Sequence, residues 1–493
     1  MSHDHDIVIV GSGFSGLGMA IRLKQAGIHD FAVLERAGEV GGTWQANTYP
    51  GCACDVPSHL YSFSFAPNPE WTQTYSPQPE IWTYLRRCAD EFALRPHIRL
   101  NTAVESATWL EDERRWEVET TQGTYRARVL IAGMGPLTEP KIPELPGLDR
   151  FEGETFHSAR WNHDYDLAGK RVASIGTGAS AIQYVPAIQK QVAQLHVFQR
   201  TAPWVMPHSN RPITDRERRF FRAFPPLQKL ARVGVYTGRE ALVLGLVKQP
   251  RLMRFLERIA RRHMRSQIFD TGLREKVTPD YTLGCKRILP SNRWYPALGK
   301  PNVELVTSGV REIRANAIVG EDGVERPVDA IVFGTGFHVS DIPAAHRVRG
   351  RGGTLLDDIW HGSPRAYMGS TIAGFPNLFF LLGPNTGLGH SSMVYMIESQ
   401  IAHVMAALKH MHSRRATTIE IRREAQDRYN AEIDGKLKRT VWNTGCASWY
   451  IDHTGRNSTI WPDWTWRFRR RARELRPDDY VLDAAPDREM VPA

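Results

Sequence analysis

The chain has 493 residues, of which 42% are apolar and 24% are charged. This composition is that of an ordinary globular protein of two or three domains, and it excludes a disordered chain. No apolar run approaches the roughly 18 residues of a membrane-spanning helix, so we expect a cytoplasmic protein without a membrane span.

The net charge of +10 at pH 7 favours a phosphorylated or polyanionic partner. Basic residues concentrate between Arg251 and Arg265 and again between Arg467 and Arg476. We interpret both runs as solvated helix faces, with weak contact to an anionic membrane surface as the alternative. We expect no nucleic-acid partner, because no nucleic-acid-binding module is recognisable.

The cysteines are few, and their number is odd. They are Cys52, Cys54, Cys88, Cys285 and Cys446. Such a sparse set in a long chain argues against a disulfide framework and fits a reducing compartment. The sequence has no CxxC pair, and the spacing of Cys52 and Cys54 is not that of a zinc site, so we expect no metal.

Residues 7–16, IVIVGSGFSG, predict a buried strand followed by the glycine pattern Gly11-x-Gly13-x-x-Gly16 and a helix. These glycines permit a tight turn, close approach of the backbone to a pyrophosphate and close packing of the helix on the strand. The helix N-terminus then attracts the phosphates. A second strand, FAVLE, ends at Glu35, whose carboxylate can accept hydrogen bonds from a ribose 2′-OH. This pattern predicts an FAD site.

A second pattern of the same kind lies at residues 172–181, VASIGTGASA, with Gly176 and Gly178 after a strand. The next strand, LHVFQRT, has Gln199 at the position that corresponds to Glu35, followed by Arg200. No acid is present there to repel a phosphate, and Arg200 can pair with one. The second site is therefore predicted to bind NADP.

Together the two patterns predict an α/β fold of two Rossmann-like dinucleotide-binding domains with a helical insertion. We assign 1–140 to the first part of the FAD-binding domain and 150–330 to the NADP-binding domain, with the insertion at about 215–270. A proline-rich linker joins them. Residues 331–493 are predicted to complete the FAD-binding domain and to form a C-terminal region.

Between the two patterns, FEGETFHSARWN places Phe151, Gly153, His157 and Trp161 in the order Phe-x-Gly-x-x-x-His-x-x-x-Trp. This stretch resembles the fingerprint of flavin-dependent (type I) Baeyer–Villiger monooxygenases. The family usually has Pro or Asp after the Trp, where this chain has Asn162. Related flavin monooxygenases that oxidise N or S atoms tend to carry Tyr or Phe at the last position, so Trp161 favours the ketone-oxidising branch.

The resemblance implies an NADPH- and O2-dependent enzyme that converts ketones to esters or lactones through a C4a-peroxyflavin. It makes Arg287 the active-site arginine, because a fixed guanidinium can stabilise the negative charge that develops on oxygen. Asp55 is predicted to hold that arginine in place. His157 is predicted to be a hinge or interdomain hydrogen-bonding residue rather than a proton carrier.

The resemblance also assigns cofactor contacts. Thr43, Trp44, Asp55 and Tyr61 match the flavin-contacting segment, Lys286 the residue for the NADP phosphate, and Trp449 the residue on the nicotinamide side. Further predicted cofactor contacts are Arg36, Val104 and Thr201. A small-molecule ketone and O2 are the expected substrates, and the chain is expected to be a monomer or small homo-oligomer.

Three alternatives stay open at this point. An N- or S-oxygenating flavin monooxygenase would not need the pair of Arg287 and Asp55. A pyridine-nucleotide disulfide reductase would need a redox cysteine pair near the flavin, for which Cys52 and Cys54 are too close in sequence. A catalytically silent flavoprotein would bind FAD without consuming NADPH.

Overall fold

The computed structural model of the protein describes residues 2–339, 342–446 and 448–484. Twenty strands are found in these ranges. The strands are β1 (Ser2–Val10), β2 (Phe31–Leu34), β3 (Ile98–Arg99), β4 (Val104–Leu110), β5 (Arg115–Thr120), β6 (Gly123–Ala132), β7 (Glu154–His157), β8 (Arg171–Ile175), β9 (Gln194–Phe198), β10 (Val205–Met206), β11 (Leu289–Pro290), β12 (Val303–Val306), β13 (Val310–Arg314), β14 (Ala317–Gly320), β15 (Glu325–Pro327), β16 (Ala330–Phe333), β17 (Val348–Arg349), β18 (Leu378–Phe380), β19 (Ala416–Ile421) and β20 (Tyr480–Ala484).

Thirteen α-helices occur in the same ranges. They are α1 (Phe14–Gln25), α2 (Thr43–Ala46), α3 (Gln78–Glu91), α4 (Ala181–Ile188), α5 (Asp215–Ala223), α6 (Pro225–Glu240), α7 (Met253–Gln267), α8 (Thr271–Lys276), α9 (Trp294–Leu298), α10 (Leu356–Trp360), α11 (Met393–Ser413), α12 (Arg423–Leu437) and α13 (Thr465–Arg473). No helix among the described residues is both long enough and apolar enough to cross a bilayer.

The first large sheet has the strand order β17-β4-β5-β6-β1-β2-β3, and β18 also pairs with β6. Strand β1 lies between β2 and β6 and is parallel to both. The four residues of β2 are all buried, as expected for a parallel strand that is covered on both faces. The late strands β17 and β18 return to this sheet after the second sheet is complete.

The second large sheet has the order β12-β9-β8-β16-β7, and all its pairs are parallel. Its strands all lie between Glu154 and Phe333. The predicted α/β class is therefore confirmed. The domain boundaries stay a prediction, although each glycine pattern does follow the strand that was expected to precede it.

Helices α5 to α8 lie between β10 and β11, where the helical insertion was predicted. The basic run in α7 is a solvated face, since Arg254, Arg258 and Arg262 are exposed. The side of α7 that packs inward carries Met253, Ala260 and Met264.

The second basic run is a solvated face only in part, because Arg467, Arg470, Arg473 and Arg476 are exposed whereas Arg469 and Arg471 are partly buried. In α13, Arg469 lies 3.4 Å from Glu398, and Arg471 lies 2.8 Å from Glu432. Both arginine side chains are partly buried, each with 23% of its surface exposed. The expectation fails only for these two arginines, because ion pairs to distant helices cannot be read from one charged segment.

Candidate active site

The first glycine pattern forms a phosphate cradle at the N-terminus of α1. Gly11 has a φ of +92°, and a Cβ on Gly16 would lie 1.8 Å from the Gly11 carbonyl oxygen. The helix begins after Gly13, with no side-chain cap and no acidic residue in its first turn. Its first backbone N–H groups are therefore left for an anionic ligand, so these residues fit the pyrophosphate of a dinucleotide.

Glu35 follows β2 beside this cradle and is buried. Its carboxylate accepts hydrogen bonds from Ser12 N at 2.9 Å and Ser12 Oγ at 2.6 Å. Its other oxygen accepts from Ala37 N at 2.9 Å. These bonds hold the carboxylate beside the cradle, and its contact with a ribose stays a prediction.

Two further predicted cofactor contacts, Arg36 and Val104, lie in the first sheet or directly beside it. Arg36 forms an ion pair with Glu139 of the proline-rich linker and donates to Thr138 O at 3.0 Å. Val104 is partly buried at the beginning of β4. Arg36 is thus bound to the linker, and a contact of Arg36 with the cofactor stays a prediction.

Three of the four predicted flavin-contacting residues, Thr43, Trp44 and Tyr61, lie around the same helix terminus. Gly42 packs against Gly13, since a Cβ on Gly42 would lie 3.0 Å from Gly13 Cα, and Thr43 begins α2 directly afterwards. Trp44 Nε1 donates to Tyr61 OH at 3.1 Å. The Tyr61 ring in turn packs edge-on against Phe14, the first residue of α1, at 5.2 Å.

The second glycine pattern lies between β8 and α4. Gly176 has a φ of +108°, and a Cβ there would lie 2.4 Å from Gly334 O. Gly178 has more room, because its nearest neighbour would be 4.0 Å away. The first turn of α4 carries no acidic residue, and Thr177 Oγ1 donates to Thr201 O at 3.1 Å. These features fit a second dinucleotide and bring Thr201 to the cradle.

Two cations lie at the end of β9. Arg200 is exposed there, and Lys286 comes close to it from the segment before β11. Desolvation and then the charge of Arg200 lower the pKa of Lys286. Gln199, the counterpart of Glu35, is buried and donates to Lys276 O at 2.7 Å. The two cations fit the phosphate that distinguishes NADP from NAD.

Arg287 and Asp55 are paired as predicted, although 232 positions separate them in sequence. Arg287 Nε donates to Asp55 Oδ2 at 2.8 Å, and Nη2 donates to Oδ1 at 2.6 Å. Burial opposes ionisation of Asp55, but the charge of Arg287 holds the pKa of that carboxyl below its usual value. The charge of Asp55 likewise raises the pKa of Arg287, so both groups stay ionised.

A cavity of about 210 Å³ adjoins this ion pair. Asp55 and Arg287 form part of its wall, together with the polar residues Tyr75, His208, Arg239 and His390. The apolar part of the wall is formed by Met206, Leu242, Leu256, Ile288 and Leu388. Such a mixture of apolar lining and a few polar groups is typical of a site for a small molecule.

The fingerprint segment joins the linker to the second sheet. A Cβ on Gly153 would lie 2.5 Å from Asp329 O, which explains the glycine. His157 ends the edge strand β7 and is buried, and burial lowers its pKa to about 4. Trp161 packs against Tyr184 of the NADP-side helix α4 at 5.5 Å. Asn162, which departs from the family pattern, donates to Glu154 at 2.8 Å.

The comparison with known proteins identifies the family. A Streptomyces coelicolor protein named Baeyer–Villiger monooxygenase is 53% identical over 98% of this chain and 94% of its own length. A Pseudomonas aeruginosa protein of the same name is also 53% identical, over 97% of this chain and 92% of its own length. The chain belongs to the Baeyer–Villiger monooxygenases.

Solved structures of monooxygenases have the same fold as this Baeyer–Villiger monooxygenase. Cyclohexanone monooxygenase from Rhodococcus sp. Phi1 bound to NADP+ has a TM-score of 0.87 at 31% identity, covering 98% of this chain and 100% of that one. A steroid monooxygenase bound to NADP has a TM-score of 0.87 at 32% identity, with the same coverage. The family described as pyridine nucleotide-disulphide oxidoreductase matches residues 8–217, which contain both cradles.

These similarities confirm the predicted family, the two Rossmann-like domains and the enzyme class, an FAD-dependent NADPH monooxygenase. They do not favour the N- or S-oxygenating alternative. The free cysteines Cys52 and Cys54 also lack the character of a reductase pair, because burial raises the pKa of Cys52 to about 12 and that of Cys54 well above its usual value.

One disulfide of this Baeyer–Villiger monooxygenase was not expected. Cys285 and Cys446 are bonded, with their Cα atoms 6.3 Å apart. The argument against a disulfide framework therefore does not hold for this pair. The bond ties the segment of Lys286 and Arg287 to the late segment that carries Trp449. Two single cysteines so far apart in sequence give no spacing signal.

Tyr450 is a site residue that the sequence reasoning missed. Its neighbour Trp449, the predicted nicotinamide-side residue, is 44% exposed, and their rings lie 4.4 Å apart. Tyr450 itself is buried, which raises its pKa to about 12 against the opposing charge of Arg287. Its hydroxyl has no hydrogen-bond partner among the described residues. The only available signal was its position next to Trp449.

Proposed function

We propose that Arg287, held by Asp55, stabilises negative charge on oxygen while this enzyme inserts an oxygen atom beside a ketone carbonyl. The observation that carries the proposal is the bidentate ion pair on the cavity wall. A guanidinium stays charged at any working pH, and its planar fork is fixed by two parallel bonds. Fixed charge of this kind stabilises a transition state without reorganisation at the moment of reaction.

The overall reaction balances as ketone, O2, NADPH and a proton giving ester, NADP+ and water. One carbon–carbon bond breaks, and two carbon–oxygen bonds form. Bound FAD supplies the oxygen chemistry, and bound NADPH supplies the hydride. The protein residues bind the two cofactors, exclude water and place Arg287 beside the ketone.

The residues proposed to hold FAD are Gly11, Gly13, Gly16, Glu35, Arg36, Thr43, Trp44, Asp55, Tyr61 and Val104. Gly13 and the α1 N-terminus would face the pyrophosphate, and Glu35 the ribose. Support comes from the uncapped α1 N-terminus and the buried carboxylate of Glu35 beside it.

The residues proposed to hold NADPH are Gly176, Gly178, Arg200, Thr201, Lys286 and Trp449. Arg200 and Lys286 would pair with the 2′-phosphate from two sides. Trp449 would approach the nicotinamide, and its link through Tyr450 and the Cys285–Cys446 bond to the Arg287 segment supports that role.

The fingerprint segment, which follows the linker, is proposed to couple domain movement to catalysis. His157 has a pKa of about 4, so it is neutral at neutral pH and suits a hydrogen-bonding role better than proton transfer. Trp161 contacts α4, so the fingerprint segment would move together with the NADP-binding domain. The domain boundaries proposed are those expected from the sequence: 1–140, 150–330 and 331–493.

The experiment that tests the proposed reaction is mass spectrometry of products from a mixed panel of ketones and thioethers, with NADPH and ¹⁸O2. The expected product is an ester or lactone that carries one ¹⁸O atom in its ring or chain. Sulfoxide without any ester, or NADPH consumption that yields only hydrogen peroxide with every ketone, would contradict the proposal.

We further propose a cytoplasmic enzyme that is a monomer or a small homo-oligomer. The three free cysteines support a reducing compartment, and the Cys285–Cys446 bond is of a kind that is rare in cytosolic proteins. Cell fractionation and light scattering of the purified protein test the two statements.

A further inference from the structure

The cavity beside the ion pair carries a second guanidinium that the proposed oxygen chemistry does not use. Arg239 projects from the last turn of α6 in the helical insertion. Its Nη2 donates to the Asp55 carbonyl oxygen at 3.2 Å and to Tyr75 OH at 3.4 Å. Both acceptors belong to residues of the cavity wall, so the guanidinium lies at that wall as well.

Arg239 has no carboxylate of its own among the described residues and shares the negative charge of Asp55 with Arg287. Arg287 has its carboxylate in Asp55, whereas Arg239 forms no ion pair among the described residues. Counting only arginine and carboxylate groups, the cavity wall carries two positive charges and one negative charge. The Nε and Nη1 donors of Arg239 have no acceptor among the described residues. Charged donors at the wall of a partly buried cavity favour an anionic ligand.

Two further polar residues of the wall, Tyr75 and His390, also favour a polar ligand. Tyr75 accepts a bond from Arg239, and no acceptor for its own O–H is found in the described ranges. His390 is almost completely buried; its Nε2 lies 3.2 Å from Glu240 Oε1, while its Nδ1 has no partner in the described part of the chain. A buried polar atom without a partner costs free energy, so a polar ligand group beside it is favoured.

We infer that the ketone taken by this enzyme carries a carboxylate, which binds Arg239 and Tyr75 while the ketone carbonyl faces Arg287. This inference rests on the proposed ketone oxidation. Arg239 and Arg287 contact the backbone oxygen and the carboxylate of the same residue, Asp55, so the two groups of the ligand are separated by only a few carbon atoms. The apolar side chains of Leu242, Leu256 and Ile288 suit the methylene chain between them. The substrate class is a short oxo acid.

The test compares 5-oxohexanoate with its methyl ester, which has the same chain and ketone but no charge. The wild-type enzyme should convert the acid with a kcat/KM higher by about tenfold or more, the usual contribution of a hydrogen bond to a charged group. Arg239→Gln should abolish this preference, so that kcat/KM for the acid falls to the value for the methyl ester. Arg239→Lys, which keeps the charge but not the fork, should retain part of it.

Lys229→Gln is the matched control, because Lys229 is an exposed cation on the same helix and not on the cavity wall. It should keep the full preference for the acid. Calorimetry with the FAD- and NADP+-loaded protein gives a second readout: 5-oxohexanoate should bind more tightly than the methyl ester to the wild type, and Arg239→Gln should remove the difference.

Equal kcat/KM and equal affinity for acid and ester in the wild type would overturn the inference. So would an equal loss for both compounds in Arg239→Gln, which would instead make Arg239 a positioning residue for Asp55. Failure of the proposed function has a different signature, in which no ketone of any charge gives an ester.

Discussion

Cys285 and Cys446 form a disulfide that connects the segment carrying Lys286 and Arg287 to the segment carrying Trp449 and Tyr450. The two cysteines are separated by 161 positions, and the bond lies beside two residues proposed to bind NADPH. The disulfide therefore stabilises more than the fold. It also holds two segments of the proposed NADPH site in their relative positions.

Removing this bond should weaken both stability and NADPH binding. Cys446→Ser should lower the free energy of unfolding by about 2–4 kcal/mol, the usual effect of losing a bond that closes a long loop. It should also raise the KM for NADPH, because Trp449 is no longer tied to the Lys286 segment. Urea unfolding and steady-state kinetics measure the two effects. A dithiol reductant should cause the same two effects in the wild type and no further change in Cys446→Ser. If the reductant left the unfolding midpoint of the wild type unchanged, this account would be contradicted.

Arg200 should determine the choice between the two nicotinamide cofactors. Arg200→Ala removes one cation facing the 2′-phosphate, so the KM for NADPH should rise by about 10- to 100-fold, equivalent to about 1.5–3 kcal/mol. The KM for NADH should hardly change, since NADH has no such phosphate. Arg219→Ala, a change on the exposed face of α5, serves as the control. Equal use of NADH and NADPH by the wild type would show that the two cations do not bind the phosphate.

His157 should make the protein sensitive to acid. Burial lowers its pKa to about 4 in the folded state, compared with about 6.5 in the unfolded chain. Between these values the unfolded state binds more protons, so the stability contributed by neutral His157 is complete above pH 6.5 and is lost as the pH falls toward 4. Each pH unit in this window costs about 1.4 kcal/mol.

The measurement is the free energy of unfolding from pH 7 to pH 4.5 for the wild type and for His157→Gln. The variant should show a smaller loss of stability over this range, whereas His29→Gln, at an exposed position, should follow the wild type. Parallel curves for the wild type and His157→Gln would mean that His157 does not titrate as described.

The cradles could be predicted because their determinants are local. The close approach of Gly16 to Gly11 and the fixed position of Glu35 beside Ser12 follow from a strand, a turn, a helix and a second strand that are consecutive in sequence. The pairing of Arg287 with Asp55 spans much of the chain, and it was predicted only through the family resemblance.

The features that were missed depend on packing between distant segments. Arg239 reaches the cavity because helix α6 folds back over the Asp55 segment, and nothing in the sequence of the insertion indicates that contact. At the start of α7, Met253 is buried, whereas Phe255 in the helix and Leu252 just before it are 62% and 50% exposed, and the sequence does not indicate this difference. The side of a helix that packs inward is decided by the tertiary neighbours.

The most direct test of the central claim is the amount of ester formed per NADPH consumed by Arg287→Ala, with Arg287→Lys and Asp55→Asn alongside. Loss of one fixed electrostatic stabiliser typically costs about 10²- to 10³-fold in rate. Arg287→Ala should keep its FAD, form ester that much more slowly and release hydrogen peroxide for most of the NADPH it oxidises. Arg287→Lys should recover little because an ammonium lacks the planar fork, and Asp55→Asn should show a milder defect. Ester formation by Arg287→Ala at a near-normal rate, with NADPH consumption still matched to product, would contradict the role of Arg287 in this enzyme.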